Sequence, residues 1–166
     1  MPGLYIALYR SSQSTIFHWA IVAAHTDDLS QPLKAYHIRM AGGPWERGQS
    51  TVNLLQTSDE FVCCVALPPL IAPLADAERV LAAQPIEQGA TPLISYYKQW
   101  SCEQWALRAI SELVAQNCLP AAPFHIPHPR WKDIVYVDVN MCAHRALTDK
   151  NAGQNVNGVP VFSLPM

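Results

Sequence analysis

Apolar and polar residues alternate over the first third of the chain and later switch to a helical spacing, so strands are expected first and helices afterwards. Leu4, Ile6 and Leu8 share one parity in an opening strand, and a second run from about Ser14 to Ala24 is rich in β-branched and aromatic residues. His25 to Pro32 reads as a loop, a third strand is predicted from Leu33 to Met40, and Ala41-Gly42-Gly43-Pro44 breaks it. Two more strands are predicted over 51–55 and 60–67, the second apolar enough to be central. Asp76 to Ala83 is a short helical candidate ended by Pro85. Ser101 to Gln116 is the clearest helix: Trp105, Ala106, Ala109, Ile110, Leu113 and Val114 form one face, Ser101 is a natural N-cap with Gln104 three residues on, and Asn117 and Pro120 end it. Trp131 to Leu147 fits two patterns, since Val135, Val137, Val139 and Met141 alternate like a strand while Trp131, Ile134, Val135, Met141, Cys142 and Arg145 suit a helix. Lys150 to Gly158 reads as a polar loop, and Val159 to Leu164 as a last edge strand that tolerates Pro160.

Composition narrows the class. A chain of 166 residues, 50% hydrophobic, suits one domain over 1–166 with a sizeable core. Only 14% of its residues are charged, yet no apolar run reaches the ~20 residues needed to cross a bilayer, so no membrane span is expected. A net charge of −2 without a basic block leaves no footprint for nucleic acid. Five cysteines, an odd number with no CxxC pair, fit neither a disulfide framework nor a zinc ribbon, and the start MPGLYIALYR lacks the apolar core of a signal peptide. A reducing, cytoplasmic location is the expectation.

Among those cysteines, Cys102 occupies the first turn of the capped helix, where free N–H groups and the helix dipole favour a thiolate. Cys63 and Cys64 lie in a core-like strand, Cys118 follows a helix end, and Cys142 lies in the ambiguous segment, so a structural role suffices for each. A cysteine nucleophile needs an imidazole to take its proton and a third group to orient that imidazole. His18 lies among apolar residues in the second strand and His37 in the third. An antiparallel hairpin centred between Asp28 and Leu29 would set His18 opposite Arg39, with His37 its diagonal neighbour on the same face. His25 is a loop residue. His125, His128, Cys142 and His144 have the types but not the spacing of zinc ligands, so no metal is expected. There is no phosphate-binding glycine loop and no GxSxG elbow, and Asp27-Asp28 and Asp59-Glu60 read as solvated turns.

The phrase His18-Trp19-Ala20-Ile21 in an early strand, a second histidine on the following strand, and Cys102-Glu103-Gln104-Trp105 opening a late helix resemble the circularly permuted papain-like group. That group includes the NlpC/P60-related LRAT-like acyltransferases and the PPPDE-type peptidases. Within it the chain is similar to small fungal domains carrying Tyr36-His37-Ile38-Arg39, Trp45-Glu46 after a Gly-Pro turn, and Val159-Pro160-Val161-Phe162. The resemblance implies an α+β fold, a small antiparallel sheet whose histidines face the N-terminus of a cysteine-bearing helix. It implies Cys102 as nucleophile, His18 as general base and His37 as the residue orienting His18, and it favours a helix over Trp131 to Leu147. Ser101 stands where the acyltransferases often have asparagine, the two histidines are farther apart, and no C-terminal membrane anchor is present, departures that weaken lipid substrates more than thiol chemistry.

The expected activity is therefore acyl chemistry through a Cys-His-His triad and an acyl-enzyme, by hydrolysis or transfer at an amide, ester or thioester, without a cofactor. The partner would be a small-molecule, peptide or carrier-bound acyl substrate. The Cys102 N–H would be one oxyanion donor, and Trp45, Trp19 and Tyr36, together with Trp100 and Trp105, are candidates to line the cleft, although Trp19 and Trp105 fit a plain core role more readily. A catalytically inert binding module on the same scaffold is the alternative from another class. A weaker one is a metal-dependent protein using the late Cys and His residues.

Overall fold

Because strand residues point alternately to opposite sides, the parity of the first two strands decides what each face of the sheet can pack against. In the computed structural model, which describes residues 1–11, 16–40, 42–56 and 60–165, the chain is mixed α+β. Its seven-stranded sheet runs β6 (Thr51–Val52), β3 (Leu33–Tyr36), β2 (Phe17–Ala24), β1 (Gly3–Arg10), β7 (Phe61–Ala66), β9 (Val159–Ser163) and β8 (Gln154–Val156). A separate ribbon pairs β4 (Ile38–Met40) with β5 (Trp45–Arg47). Three helices, α1 (Leu74–Ala82), α2 (Cys102–Ala115) and α3 (Trp131–Thr148), fall between β7 and β9 in sequence. They form the crossover that the parallel β7–β9 pair requires.

The helices cover one face only. Leu4, Ile6 and Leu8 of β1, and Phe17, Trp19, Ile21 and Ala23 of β2, are buried in one cluster with Trp105, Ala106, Ala109, Ile110 and Leu113 of α2. The opposite parity, Ala7, Val22, Ala24 and Cys64, joins Leu29, Leu33, Val52 and Leu54 in a second, smaller core. The helix-facing side thus holds the larger core, and the other face of the sheet closes against the segments around β3 and β6.

Several expected elements change. The third strand stops at Tyr36, and residues 38–40 leave the main sheet to pair with 45–47, so His37 sits at a break between β3 and β4. The hairpin is nevertheless centred as predicted, with Ile21 opposite Tyr36, Val22 opposite Ala35 and Ala23 opposite Lys34. The predicted strand over 51–55 shrinks to Thr51–Val52, because only these two residues pair with β3 and the chain turns over 54–56. Residues 131–148 form one helix, and its valine alternation arises because α3 buries Val135 and Val139 but exposes Val137. The last strand is not at the edge: β9 lies between β7 and β8, and the edge is β8, formed by residues expected to be loop. The start of the second strand at Ser14 and Thr15, the breaker residue Ala41 and the turn residue Asp59 lie outside the described residues.

The α2 boundaries match their signals. Ser101 Oγ accepts the Gln104 N–H at 3.4 Å and the Gln104 side-chain amide at 3.1 Å, and Asn117 adopts a left-handed conformation, φ 57°, past the C-cap. Gln104 does not close a capping box. Its side chain instead holds the preceding loop, donating to Gln99 O at 2.6 Å and accepting the Ile94 N–H at 3.1 Å. Loss of the cap in Ser101→Ala should lower stability by about 1 kcal/mol in a denaturant melt. An unchanged midpoint would show that the cap contributes nothing here.

Candidate active site

The break at His37 places its ring against β2. His18 Nε2 and His37 Nδ1 are 2.8 Å apart, and His37 Nε2 lies 3.0 Å from Gln49 O. A carbonyl oxygen only accepts, so His37 Nε2 carries the proton, His37 Nδ1 presents a lone pair, and His18 Nε2–H donates to it. His18 Nδ1 is left unprotonated. A carbonyl on the loop after β5 thereby sets the tautomers of both imidazoles. Gly48 makes room for this, because a Cβ there would fall 2.0 Å from His37 Cε1. Neither the need for glycine at 48 nor the Gln49 anchor was visible in the sequence, where nothing links residues 48–49 to His37.

By alternation, His18 shares its face with Tyr9, directly opposite it on β1, whose ring centroid is 6.1 Å away. Its neighbours Phe17 and Trp19 point the other way, to the helices. The picture of both histidines facing the helix N-terminus across the sheet therefore changes. Cys102 meets β2 at its edge, where β3 no longer pairs, and the backbone N–H groups of Trp19 and Glu103 favour its thiolate. Within this structure Cys102 Sγ makes no hydrogen bond to either histidine; it donates to Glu103 Oε2 at 3.3 Å.

Electrostatics alters the expected protonation states. Burial, followed by the Glu103 carboxylate, pushes the Cys102 thiol well above the ordinary range, and these outweigh the two N–H groups. The helix start does not make a resting thiolate here, because Cys102 is only 8% exposed and its neighbour is an anion. Burial and then His37 push His18 down to about 4. His37 is also lowered, by burial first and Arg39 last, against the Gln49 carbonyl that raises it. At neutral pH the site thus holds a thiol and two neutral imidazoles.

The depressed His18 value fixes a sign. Between pH 6.5 and about 4 the unfolded chain binds a proton that the folded one refuses, so His18's contribution is complete above pH 6.5 and fades as pH falls to about 4. The loss should reach about 3 kcal/mol over that window. Denaturant melts at a series of pH values should show this slope, and His18→Gln should flatten much of it. An equal slope in the variant would contradict the neutral, buried imidazole.

The proposed cleft residues have separate fates. Trp19 is fully buried and stacks on Tyr136 with centroids 5.9 Å apart, so it offers no surface to a ligand. Trp105 is equally buried, its indole donating to Pro85 O at 2.8 Å, and Trp100 donates to Ile86 O at 2.9 Å. Trp45 is half-buried against the helix-side core. Tyr36 donates to Glu78 Oε1 at 3.2 Å and, with His37, Lys34, Arg47 and Gly48, lines a cavity of about 390 Å³. Cys102 does not line that cavity. Cys63, Cys64, Cys118 and Cys142 are buried, and all five cysteines are unpaired. No helix among the described residues is long and apolar enough to cross a membrane.

No family model, curated protein or solved structure matches this chain.

Proposed function

We propose that the protein performs cysteine-dependent acyl chemistry on a papain-like scaffold, with Cys102 as nucleophile, His18 as general base and His37 as the residue that orients His18. The observation that carries this reading is the directed chain from Gln49 O through His37 to His18, which leaves His18 Nδ1 unprotonated on the residue that precedes Trp19, whose N–H faces Cys102. With the thiol and the imidazole both neutral at rest, the chemistry calls for deprotonation during attack, not for a preformed ion pair. As the sulfur adds to the carbonyl carbon, its proton passes to His18 Nδ1, and His37 Nδ1 supports the resulting imidazolium. The Cys102 N–H at the start of α2 is the candidate oxyanion donor. His18 then returns the proton to the departing amine, alcohol or thiol, and water or another nucleophile releases the acyl group. Because His18 lies on the sheet face away from the helices and Cys102 is bonded to Glu103, the proton transfer from Cys102 requires the His18 ring and the thiol to be brought together at the edge of β2 when substrate binds.

A specific observation favours the second reading, an inert binding module: the thiol is buried, held neutral and bonded away from both histidines. Mass spectrometry after incubation with activated aryl esters and acyl thioesters separates the two. The enzyme reading expects one acyl group on Cys102, none in Cys102→Ala, and release with time. Absence of any Cys102 adduct or turnover across both ester classes would leave the binding module.

A further inference from the structure

A carboxylate almost wholly removed from solvent normally has a cation beside it. Glu103 is 1% exposed, and among the described residues no Lys, Arg or His pairs with it. Its two oxygens have other partners: Oε1 accepts the Tyr97 hydroxyl at 3.0 Å and Oε2 accepts the Cys102 S–H at 3.3 Å. Tyr97 in turn accepts from the Tyr136 hydroxyl of α3 at 3.3 Å. Tyr136 is sandwiched by stacked rings, Trp19 of β2 on one contact and Tyr96 on another, at 5.9 and 5.2 Å between centroids. The carboxylate is therefore held by a phenol whose own position is set by helix and sheet together, and the remaining oxygen is offered to the sulfur.

We propose that Glu103 is a positioning residue for Cys102: its buried carboxylate holds the thiol proton at rest, so that a thiolate forms only when His18 draws that proton away. This deepens the acyl-chemistry reading and rests on it for its purpose. An anion next to a thiol opposes loss of the proton, and an S–H committed to Oε2 is withheld from other acceptors. The groups facing the sulfur are the Glu103 carboxylate and backbone N–H on α2 and the Trp19 N–H on β2, with Tyr97 behind the carboxylate. Only the carboxylate favours the protonated form among these. The cost is a slow resting thiol; the gain is a nucleophile indifferent to passing electrophiles and oxidants.

Glu103→Gln tests the arrangement, since it removes the charge while keeping the shape. Alkylation by iodoacetamide, followed at each cysteine by peptide mass, should accelerate at Cys102 alone by about tenfold or more at pH 7, as loss of the neighbouring anion lets more thiolate form. Its pH profile should move to lower pH. General loosening would instead speed several of the five cysteines and leave the Cys102 profile in place, and that result, or an unchanged rate, overturns the proposal. If the variant does not fold, the wild-type S–H stretching band decides, isolated by difference from Cys102→Ala. A band displaced to the position of a carboxylate-bonded thiol supports the hold, and a band at the free-thiol position refutes it. Neither measurement reads acyl transfer, so a protein with no turnover can still pass, and an active one can still fail.

Discussion

His18→Ala is expected to slow acylation of Cys102 by about 10²–10⁴-fold, the span associated with a positioned general base. The size follows from the resting protonation states. With a thiol pushed well above its ordinary value, almost no thiolate is present at pH 7 to bypass the base. The imidazole, pushed down to about 4, is fully available to accept. The depressed His18 value sets the pH dependence: acylation by a fast ester should persist as pH falls through 6.5 and decline only as His18 itself protonates near 4, a limb absent in the variant. A decline centred at 6.5 would indicate a solvent-exposed imidazole, and a His18→Ala rate within a few-fold of wild type would remove His18 from the mechanism. Cys102→Ala is the control, expected to abolish the adduct outright.

How the site could be seen in the sequence differs from residue to residue. His18 was conspicuous because an imidazole inside an apolar strand must find a polar partner, and the hairpin centre between Asp28 and Leu29 correctly brought His37 to it. Cys102 was conspicuous through its cap. What remained hidden was non-local. Nothing in a strand pattern says that the β2–β3 ladder ends at Tyr36 and that Arg39 turns away to Glu46 at 3.0 Å, because that depends on β5 pairing from elsewhere. The thiol's protonation departs from the sequence expectation for a related reason. A helix N-terminus acts on Cys102 through local groups, whereas burial under the sheet edge and a carboxylate anchored by Tyr97 are tertiary, and the tertiary effects win. For Trp19 the sequence leaves both a cleft and a core role open, and its stacking on α3 decides for the core.

Gly48→Ala is the second large effect, in a residue that touches neither the sulfur nor His18. A methyl group at 48 would meet the His37 ring at 2.0 Å from Cε1, 2.3 Å from Nε2 and 2.5 Å from Nδ1. The ring is not a flexible end that can swing aside, since it is bonded through Nδ1 at 2.8 Å and through Nε2 at 3.0 Å. Yielding to the methyl breaks one or both bonds, and with the Gln49 bond gone nothing selects the tautomer that presents a lone pair to His18. Acylation should therefore fall by about 10²-fold, as expected for a displacement of roughly an ångström behind a catalytic group. Gly48 does not sit in the left-handed region, so backbone strain is not a competing cause and the loss should be that of the ring alone. The double variant Gly48→Ala/His37→Ala distinguishes this from general damage. If the methyl acts by displacing the ring, removing the ring relieves the clash, and the double variant should be no slower than His37→Ala. A wild-type rate in Gly48→Ala, or losses that simply multiply in the double variant, would show that the methyl does not act through the His37 ring.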